Sequence, residues 1–152
     1  MRTLVIMVAV LIGGCASVPK SDNEEEAVRA AFERGVEALV AKNWERYSTF
    51  WAHEPHILIL HPAAGEWLRG WSAIEPKYRS LIASDMKIST ATRRFDVRVA
   101  PSGDVAWAAI EMDLTINGNP IKAWQFAVFE KIHGEWRVVA GIDAPANTAA
   151  KK

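Results

Sequence analysis

Two apolar rhythms divide the chain. In its first part Val28, Phe32, Val36, Leu39 and Val40 recur at three- and four-residue intervals, which stacks them on one face of an α-helix. Ser21 or Asp22, followed three positions later by Glu24 or Glu25, has capping-box spacing, and the Glu24-Glu25-Glu26 run suits the positive end of the helix dipole. This helix is expected to stop at Lys42-Asn43, with Asn43 in the left-handed terminating conformation. Trp44, Tyr47, Ser48 and Trp51 then share one face of a short second helix, which Pro55 ends. "HILIL", residues 56–60, is rich in branched side chains and reads as a strand; "HPAAGEWLRG" after it reads as a loop. Ser72 with Glu75 repeats the capping-box spacing, and Ile74, Tyr78, Leu81 and Ile82 supply the stripe of a third helix reaching Ser84, its first turn disturbed by Pro76.

From Met86 the period changes. Residues 86–99, 105–117, 121–132 and 135–143 read as four strands joined by "PSGD", "NGNP" and "HG", which are hairpin turns. Consecutive hairpins make an antiparallel meander, and helices that precede it pack on one face of a curled sheet. The expected class is α+β.

Composition narrows the partners. In 152 residues half are hydrophobic, about a quarter charged, and 18 basic side chains balance 18 acidic ones, the profile of a globular chain with no affinity for nucleic acid. The N-terminus reads separately: Arg2, the apolar run Leu4 to Ile12 and Gly13-Gly14 precede the single Cys15. The run is shorter than the roughly 20 residues of a membrane-crossing helix, so residues 1–14 read as a secretory signal. "LIGGC" resembles a bacterial lipobox, which implies lipidation of Cys15, a tether over 15–23, membrane attachment through the lipid only, and, with Ala16 following, an outer-membrane destination facing the periplasm. One domain then spans 24–143, and 144–152 reads as a loose tail.

The order helix-helix-strand-helix before a meander, together with "HPAAGEWLRGWSAI", "GDVAW" and the closing "HGEWRVV", resembles the nuclear transport factor 2-like superfamily in its SnoaL-like, polyketide cyclase-like branch. The resemblance implies a sheet bent round the helices into a cone that admits a small apolar or aromatic ligand, and a homodimer formed through the sheet. The family includes isomerases, dehydratases and cyclases that move a proton without a cofactor, as well as members with no known activity, so fold alone does not select among binding, catalysis and a structural role. The ending "VVAGIDAP" departs from the His- and Ser-bearing final strand of nuclear transport-type relatives.

Candidate chemistry centres on "ILILHPAAGEWLRGW", taken as the mouth of the pocket. His61 closes a buried strand and is a candidate ligand contact and proton acceptor or donor. Strand 105–117 offers two faces: Ala106, Ala108, Ile110, Met112, Leu114 and Ile116 are apolar throughout, whereas Trp107, Glu111 and Asp113 alternate with them. If the second set lines the cone, desolvation equips Asp113 as a base and Glu111 as a ligand contact; if the first does, both carboxylates are solvated or lie at an interface. Among seven tryptophans, Trp67, Trp107 and Trp124 are the pocket candidates, while Trp44, Trp51 and Trp136 fit packing. Asp143, beside Gly141, is a polar group for the rim. His53, His56 and His61 lie close in sequence, but "HEPH" lacks the four-residue helical spacing of a zinc pair, so no metal is expected.

Overall fold

The computed structural model describes residues 21–61 and 64–145; Cys15, the apolar run before it and most of the tether and tail lie outside them. Helix α1 spans Ser21–Val40, α2 Trp44–Ser48 and α3 Trp71–Ala83; the strands are β1 Leu58–His61, β2 Glu66–Arg69, β3 Ile88–Val99, β4 Val105–Ile116, β5 Asn119–Ile132 and β6 Glu135–Pro145. They form one sheet in the order β2-β1-β6-β5-β4-β3, in which β1 runs parallel to β6 and every other neighbouring pair is antiparallel. The fold is therefore α+β, with three helices against one face of a curved, unclosed sheet.

The meander forms where the alternation demands it. Asn117-Gly118 and His133-Gly134 both turn with φ between 52° and 84°, the mirror-image geometry that matches the twist of paired strands. Register shifts between Thr92 and Arg94 and between Val128 and Phe129 mark bulges that help bend the sheet.

Ala106, Ala108, Ile110 and Met112 of β4 are buried, so this parity faces the helices. Phe32 of α1 meets Phe95 of β3 with ring centroids 5.2 Å apart, and Phe50 packs edge-on to Phe129, which is fully buried. α1 tolerates Phe50 only because residue 35 is glycine: a Cβ there would lie 2.5 Å from the ring.

Several boundaries differ from expectation for local reasons. Asn43 does not terminate α1; Lys42 takes the positive φ of 54°, and Asn43 instead caps α2, its side chain accepting from the Arg46 amide at 3.0 Å. α2 stops at Ser48 because the following backbone joins the sheet: Trp51 bridges Val138, with Val138 N donating to Phe50 O and Ala52 N to Val138 O. Gly70, not Ser72, precedes α3 as its cap, without a side-chain hydrogen bond. Glu66–Arg69 is a strand rather than loop, since pairing with β1 satisfies its backbone. α1 begins within the expected tether, and β6 extends through Ala144 and Pro145, which the sequence assigns to the tail.

Candidate functional site

Strand alternation brings the chemistry of the site together. β1 and β6 pair in parallel with Ile59 opposite Gly141 and Leu60 opposite Ile142; one step further, His61 comes beside Asp143. In β5, Gln125 is the direct partner of Asp143. Two-residue periodicity turns all three side chains to the helix-bearing face, where they line a cavity of about 340 Å³. Tyr47 from α2, Trp51 after it and Tyr78 from α3 complete the polar end, and Leu39, Leu81, Met112 and Leu114 are among the apolar walls.

His61 Nδ1 stands 3.5 Å from Asp143 Oδ2; the side chains are 18% and 39% exposed. Burial pushes the Asp143 carboxyl above its ordinary range, while His61 and a hydrogen bond with Gln125 pull the other way. Burial pushes the His61 imidazole below its ordinary range; Asp143 opposes this and the Lys77 charge adds to it. The two protonation equilibria are thus drawn toward one another, the condition under which a pair can pass a proton at modest cost. Lys77 of α3 is itself ion-paired with Glu66, the cross-strand partner of His61, so its charge is held beside the site rather than within it. His61 Nε2 and Trp51 Nε1 are buried without a hydrogen-bond partner among the described residues.

The aromatic side chains are locked to one another. Trp51 and Tyr78 ring centroids are 5.0 Å apart, those of Tyr47 and Tyr78 5.5 Å, and the His61 ring lies 6.2 Å from Tyr78. Burial pushes the pKa of both phenols up, which suppresses their ionisation, so Tyr47 and Tyr78 remain O–H donors at physiological pH.

Of the residues expected to form the site, the structure unites His61 and Asp143 and separates the rest. Trp107, Glu111 and Asp113 lie on the opposite face of β4, because its wholly apolar parity meets the helices. Asp113 is ion-paired there with Arg93, which removes it as a base for the cavity. Trp124 shares that outer face at 58% exposure, opposite Glu111, and Trp107 is 41% exposed. Trp67 is 72% exposed, since Leu68, its neighbour in β2, takes the inward position. His53 stacks on Trp71 and bonds with Ser48 O, whereas His56 faces Glu130. Gln125 is not anticipated by the sequence reading, and Tyr47, Trp51 and Tyr78 are expected there only on helix faces or in packing; Gln125 is detectable as the polar residue on the inward parity of β5 between Ala123 and Ala127.

This fold, helices on one face of a bent, unclosed sheet, supports a small-molecule-binding or isomerase-type domain. The SnoaL-like domain model matches residues 28–141, and the chain belongs to that family. No curated protein matches it. Among solved structures, a proposed dehydratase of the NTF2-like family from Streptomyces avermitilis aligns with a TM-score of 0.73 at 17% identity, over 84% of this chain and 99% of that one. An NTF2-like superfamily protein from Salmonella enterica serovar Typhimurium aligns at 0.72 and 19%, over 88% and 99%. The association domain of C. elegans CaMKII aligns at 0.68 and 15%, over 82% and 97%. These likenesses are of fold.

Proposed function

We propose that the cavity binds a small, predominantly apolar organic molecule bearing a polar group, and that His61 and Asp143 contact that group. The observation that carries this reading is the His61–Asp143 pair, set with Gln125 at the polar end of an apolar space. Its test is titration of a panel of steroids, polyketides and aromatic acids, followed by tryptophan fluorescence. Trp51 lies in the cavity wall, so a ligand quenches emission in the native protein and loses affinity in Asp143→Asn; no response to any compound counts against the reading.

The convergent shifts of the pair favour a second reading, cofactor-free proton transfer on the bound molecule. An ionised Asp143 in apolar surroundings is a stronger base than in water, and a neutral His61 can relay the proton. Ligand hydrogens that exchange with deuterated solvent at a rate set by both residues support it; binding without exchange leaves only the first reading.

The outer sheet face supports self-association. Trp107, Trp124, Phe126 and Ile142 are exposed there, with Phe126 paired to both Ala109 and Ile142, a contiguous apolar area of the kind that marks interfaces. Export and lipidation at Cys15, with the domain held at the outer membrane, complete the proposal and rest on the N-terminal sequence.

A further inference from the structure

A second concavity lies behind the first, between α1, α2 and the start of β6, with a volume of about 320 Å³. Three arginines contribute to its lining, each from a different element: Arg34 of α1, Arg46 of α2 and Arg137 of β6. Glu135 is the single acidic residue of the lining among the described residues. Arg46 has a loose pairing with Glu37 at 3.9 Å, both ends largely exposed, and so remains available. Arg137 is the most constrained: its Nε is buried and has no hydrogen-bond partner among the described residues.

Like charges set around one cleft repel one another. An oxyanion held in the cleft relieves that repulsion, and the planar fork of arginine is the side chain best matched to it. The remaining walls describe what carries the anion. The Phe50 and Trp136 rings line the cleft, and Trp136 is fixed by donation from its Nε1 to Glu24, which also accepts from Lys131. A bare phosphate would leave these rings uncovered. We infer that this cleft is a binding site for a small organic oxyanion, a phosphate monoester or a carboxylate on an aromatic or apolar body, separate from the His61–Asp143 cavity.

Phe50 and Gly35 line both spaces, so one ring stands between them. The two sites are nevertheless distinguishable, because none of the three arginines lines the cavity and neither His61 nor Asp143 lines the cleft.

The test is calorimetric titration of the full chain with phenyl phosphate, benzoate and inorganic phosphate, alongside ¹⁵N spectra of the arginine Nε–H groups. One or both organic anions should bind with a dissociation constant of roughly 1 mM or tighter and move the Arg137 resonance; the tighter one identifies the acid type. Arg137→Gln should weaken binding roughly ten- to a hundredfold, Arg34→Gln on the exposed helix face should weaken it without touching the core, and Asp143→Asn should leave it unchanged. Absence of binding by all three probes, affinity indifferent to both arginine substitutions, or inorganic phosphate binding as tightly as phenyl phosphate would overturn the inference.

Discussion

The ring of Phe50 rests directly on the backbone of Gly35, close enough that a Cβ at position 35 would stand 2.5–2.9 Å from three of its atoms. Alanine favours a helix by about 1 kcal/mol over glycine, but forcing Phe50 out of its contacts with Phe32, Trp51 and Phe129 costs about 1–3 kcal/mol. Gly35→Ala is therefore expected to lower stability in urea unfolding, and Phe50→Leu should recover part of the loss in the double variant. A plain gain in stability would mean the ring yields freely.

Phe129 is fully buried between the sheet and Phe50. Phe129→Ala should cost about 3–5 kcal/mol, read as a lower denaturation midpoint at unchanged slope.

The pair at the cavity sets opposite pH signs. Asp143 is raised in the folded state, so its charge opposes folding at pH values above the raised value, and the penalty disappears below the ordinary aspartate range near 3.9. His61 is lowered, so its contribution is lost as pH falls through the ordinary histidine value near 6.5. Asp143→Asn should thus be more stable than the native protein at neutral pH, with the advantage shrinking toward pH 4 in thermal melts. An advantage that grows on acidification would contradict the burial argument.

Should the cavity catalyse proton exchange, His61→Ala and Asp143→Asn should each slow it by about 10²–10⁴, while Asp113→Asn leaves it unaltered because Asp113 pairs with Arg93 on the other face. Deuterium incorporation followed by NMR separates these outcomes.

Charge placed on the outer face should prevent pairing of two copies. Trp124→Glu is expected to shift sedimentation from dimer to monomer with unchanged circular dichroism, since the side chain already stands in solvent. At the other end of the chain, Cys15→Ser should abolish palmitate incorporation in cells.

Much of the architecture was legible because periodicity is a direct record of which face is buried. The four meander strands appear in the structure within a few residues of their expected limits, and the turns fall where Asn-Gly and His-Gly stand. β2 was hidden, because four residues with Trp67 outward and Leu68 inward carry too short an alternation to stand out from a loop. The site was legible only in part. His61 and Asp143 announce themselves as polar groups closing apolar strands, yet their meeting depends on the parallel pairing of β1 with β6, a tertiary fact without a local signature. Trp107, Glu111 and Asp113 show the converse: alternation names two faces without saying which one the helices cover, and the apolar parity prevailed because burying it removes more apolar surface from water.

The parallel ladder between β1 and β6 also makes the acid–base pair depend on the last strand. The imidazole on β1 has its carboxylate neighbour only when β6 lies alongside, so a chain clipped before Asp143 lacks the paired acid and base. Whatever chemistry the pair supplies therefore requires β6 to be docked beside β1.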